Sequence, residues 1–546
     1  MESVAEPHPS IGLELSVTES LSRRRLLGAA AVAAASVGLG APAAAAATTG
    51  TSPSYTSARP SLPSGLFTLG VASGDPLPTS TVLWTRLAPD PIAGGGMPEQ
   101  AVEVQWEVAT DERFRRVVRR GSEYARPESG HSIHVDPQGL RPDTEYFYRF
   151  RAGGTGGEIS PVGRTRTAPA AGSRAGSLRF AFASCQNFSA GYFHLYRDLV
   201  QQDVAFVAFL GDYIYESAPV ATSLRVHEGT GEPYSLVNYR NRYAQYRTDP
   251  DLQAGHAAAP WIVTLDDHEI DNNWADDIPQ DPANQTPEAF RARRIAAFQA
   301  WYEHMPVRRT SRPNGPDMQV FRRFDFGDLA RVHVLDTRQY RSDQVATIAE
   351  AEDPSRTLLG ERQEKWLDAG LVSGGQKWNL LANQTQVATN DRTAGEVDSF
   401  DLDNWDGYRA SRRKLMDTFA SPRVANPVVL TGDRHSTFIM NLERNPEQQG
   451  TAVVGAELCG TSITSGGDIP PSSQQQFHTT YDPIAAESPH WRYWDNRRGY
   501  ILCDVSRDRM ESTLRSTEVV TKQEGAPVIP AARFVTESGR RGVTVA

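Results

Sequence analysis

Six short apolar runs, Phe180–Ala183, Val204–Leu210, Trp261–Leu265, Val332–Leu335, Trp378–Ala382 and Val428–Leu430, alternate with helical stretches such as 287–303 and 361–369. Runs this short, with little internal polar alternation, suit strands buried on both faces, and the helices between them supply the covering layers. The chain beyond residue 177 is therefore restricted to α/β layering around a central sheet.

The runs share a second property: most of them stop at chemically active residues instead of plain turn formers. FAFAS leads into Cys185-Gln186, VAFVAFL into Gly211-Asp212-Tyr213-Ile214-Tyr215-Glu216, and WIVTL into Asp266-Asp267-His268-Glu269. WNLLA leads into Asn383-Gln384, and VVL into Thr431-Gly432-Asp433-Arg434-His435. A chain that only had to turn would use Gly, Asn and Pro there. Taken singly, each has an ordinary explanation, because an Asp after a Gly caps or turns and a Cys after a strand packs. Ligands of α/β sheets collect beyond the carboxyl ends of strands. Five such ends offering S, O and N donors point to one metal site built by convergence.

The region before residue 177 is organised differently. Ser22-Arg23-Arg24-Arg25-Leu26-Leu27 precedes a weakly apolar Ala/Gly run, Gly28 to Ala47, that ends in small residues suited to cleavage. This reads as a Tat-type export signal over 1–47, followed by a polar linker over 48–64. A bacterial protein that is secreted or held in the cell envelope, with the twin-arginine export machinery as partner, is the expectation. From 65 to 170 short alternating segments such as Thr81–Thr85, Val102–Val108 and Tyr146–Phe150 predict a β-sandwich of about 100 residues. Gly139-Leu-Arg-Pro-Asp-Thr-Glu-Tyr146 looks like the tyrosine corner of fibronectin- or immunoglobulin-like sandwiches. The catalytic domain is expected over 178–520, with a C-terminal tail over 521–546.

With 66 acidic against 56 basic residues, the chain has no cationic excess with which to neutralise phosphates, and a nucleic-acid partner is not expected. No later segment is long and apolar enough to span a bilayer. Of the three cysteines, Cys459 and Cys503 are open to two readings, a disulfide or two buried apolar residues. No Gly-x-Ser-x-Gly, Walker loop or CxxC occurs, which leaves acyl-serine, P-loop and thioredoxin chemistry without a foothold.

The motif order resembles the metallophosphoesterase superfamily, D…GDxxY…GNHE…H…GHxH. GDYIYE supplies the GDxxY element with Asp212 and Tyr215, DDHE stands in place of GNHE, and GDRH in place of GHxH. The departures match the PhoD-type alkaline phosphatases, in which a cysteine replaces the first aspartate. The resemblance implies a layered α/β metallophosphatase domain behind a β-sandwich, acting on small phosphate esters; separately, a monomer is expected. The resemblance also implies iron and calcium. Cys185, Asp212, Tyr215 and His435 suit one Fe³⁺, beside which thiolate and phenolate stay deprotonated. Asp212, Asp267, Asp433 and the Asn383 amide form an all-oxygen set suited to one or two Ca²⁺. Gln384 and Gln386 are alternatives to Asn383.

Such cations clamp a phosphoryl group and lower the pKa of an attacking water, so the expected reaction is hydrolysis of phosphomonoesters and phosphodiesters. By the resemblance, His268 stands where the histidine of GNHE does, to protonate the leaving oxygen or hold a substrate oxygen, with a structural histidine as the alternative. Arg434 either contacts phosphate or pairs with Asp266 or Glu269. Two other readings stand beside this one. The same metal core would serve a phospholipase D of the secreted actinobacterial kind that resembles PhoD, acting on a phospholipid, with loops 217–238, 344–357 and 463–490 shaping access. A calcium-binding surface protein would use the sandwich for recognition.

Overall fold

In the strand Phe206–Phe209, Val207 and Phe209 enter one apolar core while Phe206 and Ala208 enter another, as expected of a strand covered on both faces. The computed structural model describes residues 62–448, 450–467, 469 and 473–546. The export signal expected over 1–47 and nearly all of the linker expected over 48–64 lie outside the described residues.

Two sheets pack face to face. The first has ten strands in the order Thr544–Val545, Ile529–Glu537, Arg509–Thr517, Arg498–Ser506, Ser177–Ala183, Phe206–Phe209, Pro260–Val263, Val71–Leu77, Ser80–Arg86 and Ser132–Val135. The second has seven, Arg322–Phe326, Ala330–Val334, Trp378–Asn383, Pro427–Thr431, Val453–Cys459, Thr437–Glu443 and Trp491–Asp495. Between them, Phe180, Phe182, Phe206 and Ile262 of the first meet Phe324, Trp378, Leu380 and Val428 of the second. Each such side chain removed from water contributes about 1.5–3 kcal/mol.

Helices close both outer faces. Leu236–Arg247, Pro250–Ala258 and Pro287–His304 cover the ten-stranded sheet through Tyr239, Tyr243, Leu252, Phe290 and Phe298. Pro287–His304 starts as its sequence dictates, with Thr286 accepting the Ala289 N–H and a proline in the first turn. Gly360–Ser373, Arg409–Ala420 and Gln474–Glu487 cover the seven-stranded sheet through Leu367, Leu415, Phe419 and Phe477.

The sandwich expectation is met only in part. Val117–Ala125, Val102–Ala109, Glu145–Ala152, Glu158–Ile159 and Gly163–Arg166 form a separate small sheet. Its apolar face packs on Val71, Leu83, Ile133 and Val135, whose strands continue the ten-stranded sheet. The join is a parallel pairing of Ser73 and Gly74 with Pro260 and Trp261. The second layer of the sandwich is therefore an extension of the catalytic sheet, which leaves no exposed edge between them. The corner itself forms as read, with the Arg141 N–H donating to the Tyr146 hydroxyl at 2.8 Å.

The expected C-terminal tail is also corrected. Ile529–Glu537 and Thr544–Val545 extend the ten-stranded sheet, because Phe534 and Val543 have an apolar core to enter. Cys459 and Cys503 lie in different sheets, and all three cysteines are free and buried, so the disulfide reading falls. Among the described residues no helix is long and apolar enough to cross a membrane.

Candidate metal centre

Ser177–Ala183, Phe206–Phe209 and Pro260–Val263 run parallel in the first sheet, and Ala330–Val334, Trp378–Asn383 and Pro427–Thr431 run parallel in the second. Their carboxyl ends meet at one end of the molecule, where the loops are cross-linked through the backbone. The Cys185 N–H donates to Gly211 C=O at 3.1 Å, the Gln186 N–H to Asp212 C=O at 3.1 Å, and the Gly432 N–H to Gln384 C=O at 2.9 Å. Two glycines permit this approach. A Cβ on Gly211 would lie 2.5 Å from Asp266 Cβ, and one on Gly432 would lie 2.8 Å from Ser184 Oγ.

The loops also hold strained backbone. Cys185, Asp212, Asp433 and His435 have φ of 60°, 57°, 60° and 59°, a left-handed conformation that costs a non-glycine residue on the order of 1 kcal/mol or more. Four of the seven predicted ligands carry it, and it persists because the cross-links above over-determine these loops.

Three groups of side chains bring ligand atoms within 4.8 Å of one another: Cys185 with Asp212 and His435, Asp212 with Asp267 and His268, and Asp266 with Asp267 and Asp433. Asp212 and Asp267 each belong to two of these groups, which makes the site continuous. Tyr215 joins the first, its hydroxyl 2.9 Å from Asp212 Oδ2 and 3.0 Å from His435 Nε2, with Ser465 Oγ at 2.6 Å. His435 donates Nδ1–H to the Gly466 carbonyl at 2.5 Å, which leaves Nε2 as the ring atom facing Asp212 and Tyr215.

The electrostatics ask for cations. Asp212 Oδ1, Asp266 Oδ2 and Asp267 Oδ1 are buried with no hydrogen-bond partner, and orphaned buried carboxylate oxygens are expensive. Burial pushes Asp266 up to about 8, with Arg338 opposing and Asp267 and Asp212 reinforcing. Burial also pushes Asp433 well above the carboxylate range, and Asp266 and Asp267 add to the effect. Asp267 goes the other way, since Arg338 and His268 override its burial. Burial and then the Asp212 charge hold both the Cys185 thiol and the Tyr215 phenol well above their ordinary values. A donor set of this kind fits metal ions, which would occupy the orphaned oxygens and deprotonate the thiol and phenol.

His268 sits at the rim of this cluster. Its Nδ1 is 2.7 Å from Glu216 Oε2 and its ring lies 4.1 Å from that of Tyr215. Its pKa is well above that of a free imidazole: burial opposes the charge, and Glu216, Asp212 and Asp267 overcome it.

Two predicted residues stand elsewhere in the network. Asn383 spends both ends of its amide locally, Oδ1 accepting from Trp405 Nε1 at 3.3 Å and Nδ2 donating to the Thr385 carbonyl. The strand alternation turns it away, and the neighbouring Gln384 has the buried oxygen without a partner, its Nε2 being held by Thr264 Oγ1 at 2.6 Å and Leu335 C=O at 2.7 Å. Arg434 donates to the Tyr481 hydroxyl at 2.8 Å and lies over Phe438 at 5.4 Å. Neither acid considered as its partner takes that part: Asp266 pairs with Arg338, and Glu269 accepts the N–H groups of Asp212, Tyr213 and Asp266.

The guanidinium among the carboxylates is that of Arg338, fully buried, 2.6 Å from Asp266, 2.9 Å from Asp403 and 3.7 Å from Asp267. Sequence reasoning missed it, although it follows the run Val332–Leu335 and obeys the same rule of active residues after a strand. Glu269, which staples the Asp212 loop to the Asp266 loop, was legible only as part of DDHE.

The family model for PhoD-like phosphatase matches residues 180–514, and that for the N-terminal domain of PhoD-like phosphatases matches 52–169. Alkaline phosphatase D of Bacillus subtilis (strain 168) is 46% identical over 498 residues, covering 89% of this chain and 83% of that protein. A solved structure of PhoD superposes with a TM-score of 0.83 at 46% identity, covering 88% of this chain and 92% of that one. The purple acid phosphatase PPD1 of yellow lupin (Lupinus luteus) shares the fold alone, with a TM-score of 0.51 at 12% identity over 84% of this chain and 73% of that one. Matched by family models across both its N-terminal and its α/β regions, the chain belongs to the PhoD-like phosphatase family.

Proposed function

We propose that this protein is a metal-dependent hydrolase of phosphoric esters, acting on monoesters and diesters, with a mixed iron and calcium centre. The observation that carries the reading is the continuity of the three ligand groups through Asp212 and Asp267. One end offers a thiol, a phenol and an imidazole, and the other offers carboxylates only. The first end suits Fe³⁺ on Cys185, Asp212, Tyr215 and His435; the second suits Ca²⁺ on Asp212, Asp267 and Asp433, with Asp266 and the Gln384 amide oxygen as the additional oxygens in place of Asn383. When bound, the cations supply positive charge for the phosphoryl oxygens and acidify the attacking water.

The chain's own residues do the rest. His435 is fixed by Gly466 in the tautomer a ligand requires. Glu269 fixes Asp212 relative to Asp266 through three backbone N–H groups. Arg338 offsets part of the charge of Asp266 and Asp267 and keeps their free oxygens directed into the centre. His268, anchored by Glu216, holds the proton that the leaving oxygen takes up. Export by the twin-arginine route, with metal loading before translocation, completes the proposal. The phospholipase and surface-protein readings are not favoured, since the family is one of phosphatases and a structural Ca²⁺ site has no use for Cys185, Tyr215 and His435.

The test is hydrolysis of p-nitrophenyl phosphate and bis-p-nitrophenyl phosphate by purified protein, before and after chelation and after restoring iron and calcium. Activity lost on chelation and regained only with both metals supports the proposal. Activity that survives complete removal of metal refutes it.

A further inference from the structure

Arg247 closes the helix Leu236–Arg247 with a fully buried side chain and makes no ion pair among the described residues. Of the other fully buried arginines, Arg293, Arg338 and Arg412 are each paired with carboxylates, and Arg86 is held by Gly130 C=O and His304. One face of the Arg247 guanidinium lies 4.0 Å over the ring of Trp84, and Nη2 makes a long 3.4 Å contact with His304 C=O. Nε and Nη1 have no partner.

The surroundings supply donors and no negative charge. Ser73 Oγ, Tyr148 OH, Tyr243 OH and His256 Nδ1 are also buried and unpartnered. Ser73 and Tyr148 stand close to each other without an ordinary hydrogen bond between them, and the hydroxyls of Tyr148 and Tyr213, the latter also as a hydrogen-bond partner, bear on Arg247 with no carboxylate among them. The histidines contribute nothing to neutralise it. His304 donates Nδ1–H to Ala300 C=O at 2.6 Å and accepts from Arg86 at 2.8 Å, and His256 lies 2.8 Å from the Tyr213 hydroxyl.

A buried guanidinium edge beside hydroxyl donors, with no acid in reach, is a cradle for an anion. A single positive charge sets the anion's charge at one, and full burial sets its size as small. We propose that a monovalent halide, chloride in ordinary buffers, binds between Arg247 Nε/Nη1 and the hydroxyls of Tyr148 and Ser73, joining the small sheet, the ten-stranded sheet and the helical layer. The site lies behind the metal loop, because Tyr213 follows Asp212 directly.

Crystals grown with bromide in place of chloride test this on the intact protein. An anomalous bromide peak beside Arg247 Nε is expected, and water there with no anomalous signal overturns the proposal. In parallel, thermal unfolding is followed while chloride replaces gluconate at constant ionic strength. The midpoint is expected to climb with chloride in the parent and to stay flat in Arg247→Met. The same climb in both, or in neither, counts against the site. If Arg247→Met does not fold, Tyr148→Phe should show a weaker chloride dependence, and an unchanged dependence overturns the assignment of that donor.

Discussion

Replacing Arg338 by Met separates a structural ion network from a decorative one. The guanidinium is fully buried, bonded to Asp266 at 2.6 Å and to Asp403 at 2.9 Å. Asp403 keeps Arg341 at 3.1 Å and Gln344 at 2.7 Å after the change, so the orphaned group is Asp266. Removing one partner of a buried pair costs up to about 3–5 kcal/mol where the remaining group stays charged, and less where, as for Asp266 below about pH 8, it holds a proton instead. Arg338→Met is therefore expected to lose about that much stability in chelated protein above about pH 8, and clearly less at neutral pH, measured by denaturant unfolding with an unchanged slope. Adding Asp266→Asn to the variant removes the orphaned charge and should return most of the loss, a coupling that a double-mutant cycle reads directly. Calcium should shrink the deficit of the single variant, because the cation compensates the same carboxylate. A single variant within about 1 kcal/mol of the parent, or a double variant no better than the single, would refute the argument.

Chelated protein should also depend on pH through Asp266, which burial and the neighbouring aspartates push up to about 8 against about 3.9 when unfolded. The folded state holds that proton more tightly, so its stabilisation is full below about pH 4 and is lost as the pH rises toward 8. Unfolding midpoints across that range should fall in the chelated protein and level out with calcium; a flat chelated profile argues against the buried cluster. His268→Asn should lower kcat by about 10²–10⁴ for alkyl phosphates and far less for p-nitrophenyl phosphate, whose leaving group needs no proton. An equal loss on both substrates would assign His268 a structural part.

The strand ends were readable because two signals coincide in the chain itself. An apolar run that stops at Cys185, Asp212, Asp267 or Asp433 announces both a buried strand and a reason for interrupting it. Asn383 misled because its strand continues to the asparagine itself, so alternation decides which way the side chain turns, and Gln384 takes the position facing Thr264. Arg338 was passed over because a guanidinium is not a ligand, although burying this many carboxylates needs positive charge from the chain as well as from metals. The sandwich was misjudged for another reason. Pairing of Ser73 and Gly74 with Pro260 and Trp261 spans most of 190 residues, and nothing local marks which edge a strand will join. The strand Ile529–Glu537 escaped for the same reason, its partner Arg509–Thr517 being set by tertiary packing.

We propose that Cys185 and Tyr215 bind iron at the end of a carboxylate site that holds calcium. Elemental analysis of protein purified without added metal, read with its visible absorption spectrum, tests it most directly. Iron together with calcium is expected, with a visible charge-transfer band from thiolate and phenolate, and both band and iron are lost in Cys185→Ala. Active, folded protein that contains zinc and no iron, is colourless, and is unaffected by Cys185→Ala would contradict it.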